Sequence, residues 1–437
     1  MNPALYADLK ARGIVYQVTD ETLEAHLARS PVTLYCGFDP TSDSLHVGSL
    51  FPLLTLRRFQ KAGHRPIIVL GGATGMVGDP SGKSQERNLQ TPEQVEKNLA
   101  GIRKVAERFL DFSPDAPEPA RIVDNSDFYR EMNVLTFLRE VGKYFTVNHM
   151  TQKDSVRSRM EDRDHGISYT EFSYMLLQAY DFFCLHEQLG CTLQIGASDQ
   201  WGNITAGTEL IRKKLAHSRA ATEEFTLPAF GLTHPLITRP DGVKFGKTEK
   251  GAVWLSPEKT SPYQFYQFFI QSPDSVVIPW LKFLTFLPLE QIEELESQLQ
   301  KEPEKKAAQT ALARELTILV HGEEALSRAE AATRALFGAE LKALDLETLK
   351  DVFADAPRTE LPRAKIEAGL PLVELLAESG LFQSKGAARK EIPAGGVYVN
   401  NDRITDPSLL LQSKDLIGGA ALVLRKGKKN YHLVKFS

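Results

Sequence analysis

Four short strand candidates, Thr33–Cys36, Pro66–Leu70, Arg121–Asp124 and Thr192–Ile195, are separated from one another by stretches of helical periodicity. Strand and helix alternating in this way predict an α/β protein with a parallel, doubly wound sheet, because parallel neighbours need a crossover between them. Each run ends in turn-forming or polar residues: Gly37-Phe38-Asp39, Gly71-Gly72-Ala73-Thr74-Gly75, Asn125-Ser126-Asp127 and Gly196-Ala197-Ser198-Asp199. Ligands of doubly wound sheets lie beyond the carboxyl ends of the strands, so these four ends are expected to meet at one crevice.

The first strand leads into the densest chemistry. Gly37 to Ser44 supply turn and cap residues, and Leu50 to Phe59 resume with helical spacing. A helix opening there aims unpaired backbone N–H groups at whatever lies above the strand, which favours phosphate. His46 offers an imidazole donor at that point, and Gly48 lets a nucleotide come close. Taken alone, His-x-Gly fits an ordinary capped turn equally well.

Three other segments carry candidate groups. Gly71 to Ser84 ends in Gly82-Lys83-Ser84, but a phosphate-binding P-loop needs a glycine five residues before Gly82, where Val77 stands. A glycine-rich loop remains, with Asp79 able to bind an amine. On a helix over Ser173–Leu185, Tyr174, Gln178 and Asp181 share one face among apolar neighbours, forming either a water-facing stripe or a pocket wall. Lys244-Phe245-Gly246-Lys247-Thr248 follows a Pro-Asp-Gly turn and is either an exposed basic loop or one that neutralises a reacting triphosphate.

At 437 residues the chain exceeds one ordinary core. Three scattered cysteines, Cys36, Cys184 and Cys191, make neither a disulfide framework nor a four-ligand zinc site, so no bound metal is expected. No basic-then-apolar leader and no bilayer-length apolar run is visible, which predicts a cytoplasmic protein without a membrane partner. The net charge of −4 is unevenly spread. From Leu361 onward 12 Lys and Arg oppose 7 Asp and Glu, giving a basic tail of +5 on a body of −9. A polyanion partner for the tail fits that asymmetry.

Together these segments resemble the bacterial tyrosyl-tRNA synthetases, a class I aminoacyl-tRNA synthetase family, over essentially the whole chain. Residues 40 to 49 are similar to the family's HIGH signature and 244 to 248 to its KMSKS loop. Tyr35 to Thr41, Gly71 to Gly75, Gln178-Ala179-Tyr180-Asp181 and Ser198 to Asn203 occur in the family's order and spacing. The resemblance implies a Rossmann-like catalytic domain over 1–230 and the KMSKS-like loop with a helical, anticodon-side domain over 231–337. A linker over 338–363 would lead to a small α+β RNA-binding domain over 364–437, similar to that of a small-subunit ribosomal protein.

It also implies roles. Tyr35 and Asp181 would face the substrate's phenolic hydroxyl, Tyr174, Gln178 and Asp79 its ammonium, and Gln200 its carboxyl group. Cys36, Gly37, Asp39, Gly48, Ser49, Gly196, Asp199 and Lys247 would contact ATP. Thr41 and His46 would stabilise the leaving pyrophosphate, as would Lys83, Arg87, Lys244, Lys247 and Thr248. ATP would come with Mg²⁺, the second substrate would be tRNA(Tyr), and the chain would form a homodimer. Phenylalanine would leave Tyr35 and Asp181 unpaired; the family is itself the reference example of such rejection, at roughly 10⁵-fold. Two positions depart from the pattern: Ser49 stands where a second histidine is usual, and Ala197 where a second glycine is usual beside the ribose.

Overall fold

The computed structural model describes residues 4–29, 31–81, 90–161, 166–218, 227–238, 245–248, 251–337, 340–353, 356–427 and 430–437. They form two compact units, one of residues 1–259 and 272–308, the other of 260–271 and 309–437.

The first unit is built on a six-stranded sheet of β1 (Gln17–Val18), β2 (Thr33–Phe38), β3 (Arg65–Leu70), β4 (Arg121–Asp124), β5 (Cys191–Ala197) and β6 (Phe230–His234). Its spatial order is β1-β6-β5-β2-β3-β4, with every neighbouring pair parallel except β1 with β6. From β2 the chain runs outward through β3 to β4, then returns to place β5 on the other side of β2. The carboxyl ends of β2 and β5 therefore flank the point where the winding reverses, the natural crevice of such a sheet. β2 and β3 are buried on both faces, which is why they read as near-continuous apolar runs.

The helix that carries Tyr174, Gln178 and Asp181 spans Tyr169–Leu189. Ser168 caps it by accepting the N–H of Glu171, and Gly190 ends it in the left-handed conformation at φ 62°. Near its start the buried carboxylate of Glu171 accepts two bonds from Arg159, at 2.8 and 3.2 Å. This bidentate pair ties the 154–161 helix to the first turn of the 169–189 helix. Among the described residues, no helix is long and apolar enough to cross a membrane.

The second unit pairs helices 262–270, 307–321 (from residue 309) and 323–337 with a five-stranded sheet. The sheet's order is 402–404, 397–399, 421–426, 430–436 and 358–361; its last pair alone is parallel. Leu372, Leu376, Val397, Leu424 and Val434 fill one face of it. Ala332, Leu349, Val423 and Leu433 fill the other.

Three expected boundaries shift. A cut at residue 230 would fall on the first residue of β6, whose Gly231, Thr233 and His234 break the apolar pattern of a buried strand. Helices Asp274–Leu284 and Leu289–Lys301 group with the first unit, not with a separate helical domain. The stretch expected as a linker holds a helix over Leu346–Val352 and the strand Arg358–Leu361, which pairs with 430–436. Asp345, Glu347 and Glu360 there are exposed, and this acidic character hid the buried Leu349, Phe353 and Leu361.

Candidate functional site

A cavity of about 280 Å³ opens at the β2/β5 reversal, and most of the expected residues line it. Tyr35, Cys36 and Gly37 come from β2, and Asp39, Thr41, His46, Gly48 and Ser49 from the connection to the helix Leu50–Lys61. Tyr174, Gln178 and Asp181 face it from the 169–189 helix, so their shared stripe is a pocket wall. Asp79, Gly196 and Gln200 complete the set. Asp199 lies in the 198–200 turn beside the cavity and does not line it. Lys83, Arg87 and Lys244 lie outside the described residues, as do the side chains of Lys247 and Thr248. The backbone of the latter two pairs with Gly251–Ala252.

One end of the cavity is a connected hydrogen-bond network. The Tyr174 hydroxyl donates to Asp39 Oδ2 at 2.9 Å, and Thr74 Oγ1 donates to Asp39 Oδ1 at 2.9 Å. Asn125 Nδ2 donates both to Thr74 Oγ1 (3.0 Å) and to Asp181 Oδ2 (2.9 Å). Asn125 Oδ1 accepts the N–H of Ala73, so the orientation of its amide is fixed. The other oxygen of Asp181 accepts from Tyr129 at 2.7 Å. Asp39, expected at the nucleotide, thus has both carboxylate oxygens engaged in this network.

Asp181 is buried and negatively charged neighbours, Asp39 and Asp124, lie near it. Burial pushes its acid up to about 7, against the opposing pull of the Asn125 and Tyr129 bonds. Tyr35 is 2% exposed and its hydroxyl has no hydrogen-bond partner among the described residues. Its acidity is suppressed, first by burial and then by the Asp181 charge, so it stays a neutral O–H. A buried hydroxyl without a partner is costly unless a ligand satisfies it. Gln194 Oε1, also at the cavity wall, is a second such atom.

Beside this network Gln200 Nε2 donates to Asp79 Oδ2 at 2.6 Å, and the other Asp79 oxygen accepts the N–H of Ser81. Asn203 Nδ2 reaches Gln178 Oε1 (3.1 Å) and Gln200 Oε1 (3.2 Å). Two side chains expected to bind different substrate groups, Asp79 and Gln200, are therefore bonded to each other. The second N–H of the Gln200 amide can still serve a ligand. Burial also drives the Cys36 thiol up to about 12, so it is an un-ionised, weak donor at the cavity wall.

The other end is made largely of backbone. His46 caps a short turn over Val47–Ser49, its Nδ1 accepting the N–H of Gly48 at 2.9 Å. That bond leaves the proton of the neutral ring on Nε2, the nitrogen able to donate. The N–H of Val47 donates to Val253 O and that of Leu255 to Leu45 O, which lashes this loop to the segment following the 247–252 hairpin. Asn98 donates to Pro40 O at 2.8 Å, and Lys259 pairs with Asp43 and donates to Ser42. Gly48 is fitted tightly: a Cβ there would lie 2.6 Å from His46 Cε1 and 3.3 Å from Phe245 O. Ser49 sits at the start of the 50–61 helix with no capping bond from its side chain.

Thr74, Tyr129, Gln194 and Asn203 also belong to this site, although no local spacing marks them as functional. Asn125 and Thr74 did stand in the polar strand ends, the one signal that pointed to them.

A family model for class I tRNA synthetases (W and Y) matches residues 27–338, and one for the tyrosine–tRNA ligase SYY-like C-terminal domain matches residues 348–434. A tyrosine–tRNA ligase of Opitutus terrae is 54% identical over 430 residues, covering 98% of both chains. The chain belongs to the tyrosine–tRNA ligase family. The ligase of Geobacillus stearothermophilus is 52% identical over 99% of this chain and 100% of its own. Among solved structures, a C-terminally truncated mitochondrial tyrosyl-tRNA synthetase of Aspergillus nidulans superposes with a TM-score of 0.67 at 30% identity. It covers 76% of this chain and 94% of its own. A tryptophanyl-tRNA synthetase of Encephalitozoon cuniculi, at 16% identity and a TM-score of 0.51, shares the fold. Within this family, then, the chain is a class I, α/β synthetase with an added sheet-containing C-terminal domain.

Proposed function

We infer that the chain joins L-tyrosine to ATP, giving tyrosyl-adenylate and pyrophosphate, and then passes the tyrosyl group to the 3′ end of tRNA(Tyr). The observation that carries this reading is that a buried hydroxyl, without a partner among the described residues, and a buried carboxylate line one cavity together. Tyr35 and Asp181 are a donor and an acceptor that a phenolic hydroxyl satisfies together, whereas an indole or an unsubstituted ring satisfies neither so fully.

Asp79, Gln178 and the Tyr174 oxygen form an acceptor-rich wall that suits the substrate's ammonium, and Gln200 can donate to its carboxylate. Held this way, the tyrosine carboxylate attacks the α-phosphorus directly and pyrophosphate leaves, with no covalent enzyme intermediate. The chain contributes position and charge stabilisation. His46 Nε2–H, Thr41 and backbone N–H groups of the 46–49 turn would serve the phosphates, joined by Lys83, Arg87, Lys244, Lys247 and Thr248. Gly196 and Asp199 would contact the ribose with Cys36, whose un-ionised thiol can donate. Magnesium would enter on the ATP phosphates, as part of that substrate. The basic C-terminal domain would bind tRNA. The exposed apolar residues Val134, Leu135, Leu138 and Val147 fit a face covered by a second copy in a homodimer. The site of protein synthesis, the cytoplasm in a bacterium, is the compartment this reaction requires.

ATP–pyrophosphate exchange tests the reading. Exchange should depend on tyrosine, with phenylalanine and tryptophan poor substitutes. Equal exchange with tryptophan would sink it, because the Tyr35/Asp181 pair would then do no selecting. RNA binding with no exchange at all would point to a binding protein on a synthetase fold.

A further inference from the structure

Tyr129 has no part in the reading above and does not line the cavity. It stands just past β4, where its ring packs against Tyr180 with centroids 5.7 Å apart. Its hydroxyl lies 2.7 Å from Asp181 Oδ1 and 2.8 Å from Leu177 O. A phenol has one proton to give. The Leu177 carbonyl lies inside the 169–189 helix, where it also serves the backbone ladder, so an ionised Asp181 is the stronger claimant.

The groups facing the Asp181 carboxyl come from three elements. Tyr35 and Asp39 approach from β2 and its loop, Asp124, Asn125 and Tyr129 from the end of β4, and Tyr174, Tyr180 and Cys184 share its helix. The nearby charges that act on it, Asp39 and Asp124, are negative and favour its protonation, as burial does. Asn125 and Tyr129 are the two donors that work the other way. With one donor on each oxygen, each oxygen keeps a lone pair for a ligand, and the carboxyl plane is held from both sides.

We propose that Tyr129 is a positioning residue for amino-acid selection: its hydroxyl keeps the Asp181 carboxyl ionised and aimed as an acceptor for the substrate's hydroxyl. Tyrosine is then chosen partly by a side chain that never touches it. The inference rests on the reading of Asp181 as the phenol acceptor.

The full chain carrying Tyr129→Phe is assayed by ATP–pyrophosphate exchange with tyrosine and with phenylalanine from pH 5.5 to 8.5. Loss of a bond to a buried charge should move the acid limb of kcat/KM for tyrosine up by about one pH unit. The tyrosine-to-phenylalanine ratio should drop about fivefold at pH 7, approach about a tenfold drop at pH 5.5, and largely recover by pH 8.5, where the carboxyl ionises unaided. Tyr129→Gln, which retains a donor, should leave the limb near its original place. An unmoved limb in Tyr129→Phe, or an equal loss of ratio at every pH, overturns the proposal. Should Tyr129→Phe not fold, Tyr129→Met compared with Tyr129→Gln makes the same test. Asp181→Asn separates the two layers. If it leaves both ratio and limb intact, the reading of Asp181 fails. If it abolishes them while Tyr129→Phe changes nothing, the role of Tyr129 alone fails.

Discussion

Asp181 and His46 line the same cavity but are held there by different means. At the Asp181 end side chains hold side chains: Tyr174, Asp39, Thr74, Asn125, Asp181 and Tyr129 follow one another through hydrogen bonds of 2.7–3.0 Å. At the His46 end backbone holds backbone, through the Val47–Val253 and Leu255–Leu45 bonds, with glycine at the point of closest approach. The difference follows from what each end must recognise. Telling one ring substituent from another needs donors and acceptors whose directions cannot drift. Binding a phosphate chain whose charge grows during reaction needs N–H groups fixed in place and room beside them.

That division can be broken by substitution. Asp181→Ala should lower the preference for tyrosine over phenylalanine most, by about 10³-fold, since it removes the buried acceptor of the phenolic proton. Exchange kinetics with both amino acids measure this, and a preserved preference would mean that another group reads the ring. His46→Ala should cut the turnover of activation by about 10²-fold while the preference stays intact. A parallel loss of preference would show that the two ends are not independent.

Gly48→Ala should be milder and confined to the nucleotide. The added methyl group would crowd the His46 ring, raising KM for ATP by about tenfold with KM for tyrosine little changed. The smallest effect is expected from Lys259→Met, a change at a partly exposed ion pair with Asp43. Such pairs contribute about 0–1 kcal/mol, so KM for ATP should rise no more than about fivefold. A much larger rise would make that latch, and not the backbone lashing, the main support of the loop.

Legibility in the sequence divided along similar lines. β2, β3, β4 and β5 could be read because each is a short stretch with an apolar centre closed by polar or glycine-rich residues, and the crevice followed from their order. Tyr35 and His46 sit inside those patterns. β6 could not be read, because Gly231, Thr233 and His234 carry no strand signature and are buried by tertiary contacts alone. The network was hidden for a related reason. Thr74 follows β3 whereas Asn125 and Tyr129 follow β4, and local spacing says nothing about which loop tips meet. The pairing of Asp79 with Gln200, 121 positions apart, is of the same kind.

The strand Arg358–Leu361 carries a practical consequence for dissecting this molecule. It lies parallel to residues 430–436, while the helix Leu346–Val352 shares a core with Ala332 and Ala335 upstream and Val423 and Leu433 downstream. Shortening the chain after Pro362 would remove the sheet and leave Leu349, Phe353 and Leu361 bare, a sticky stump more apt to aggregate than to report on catalysis. A cut meant to separate adenylate formation from tRNA charging has to fall well upstream, and a piece beginning at residue 364 would lack an edge strand of its own sheet.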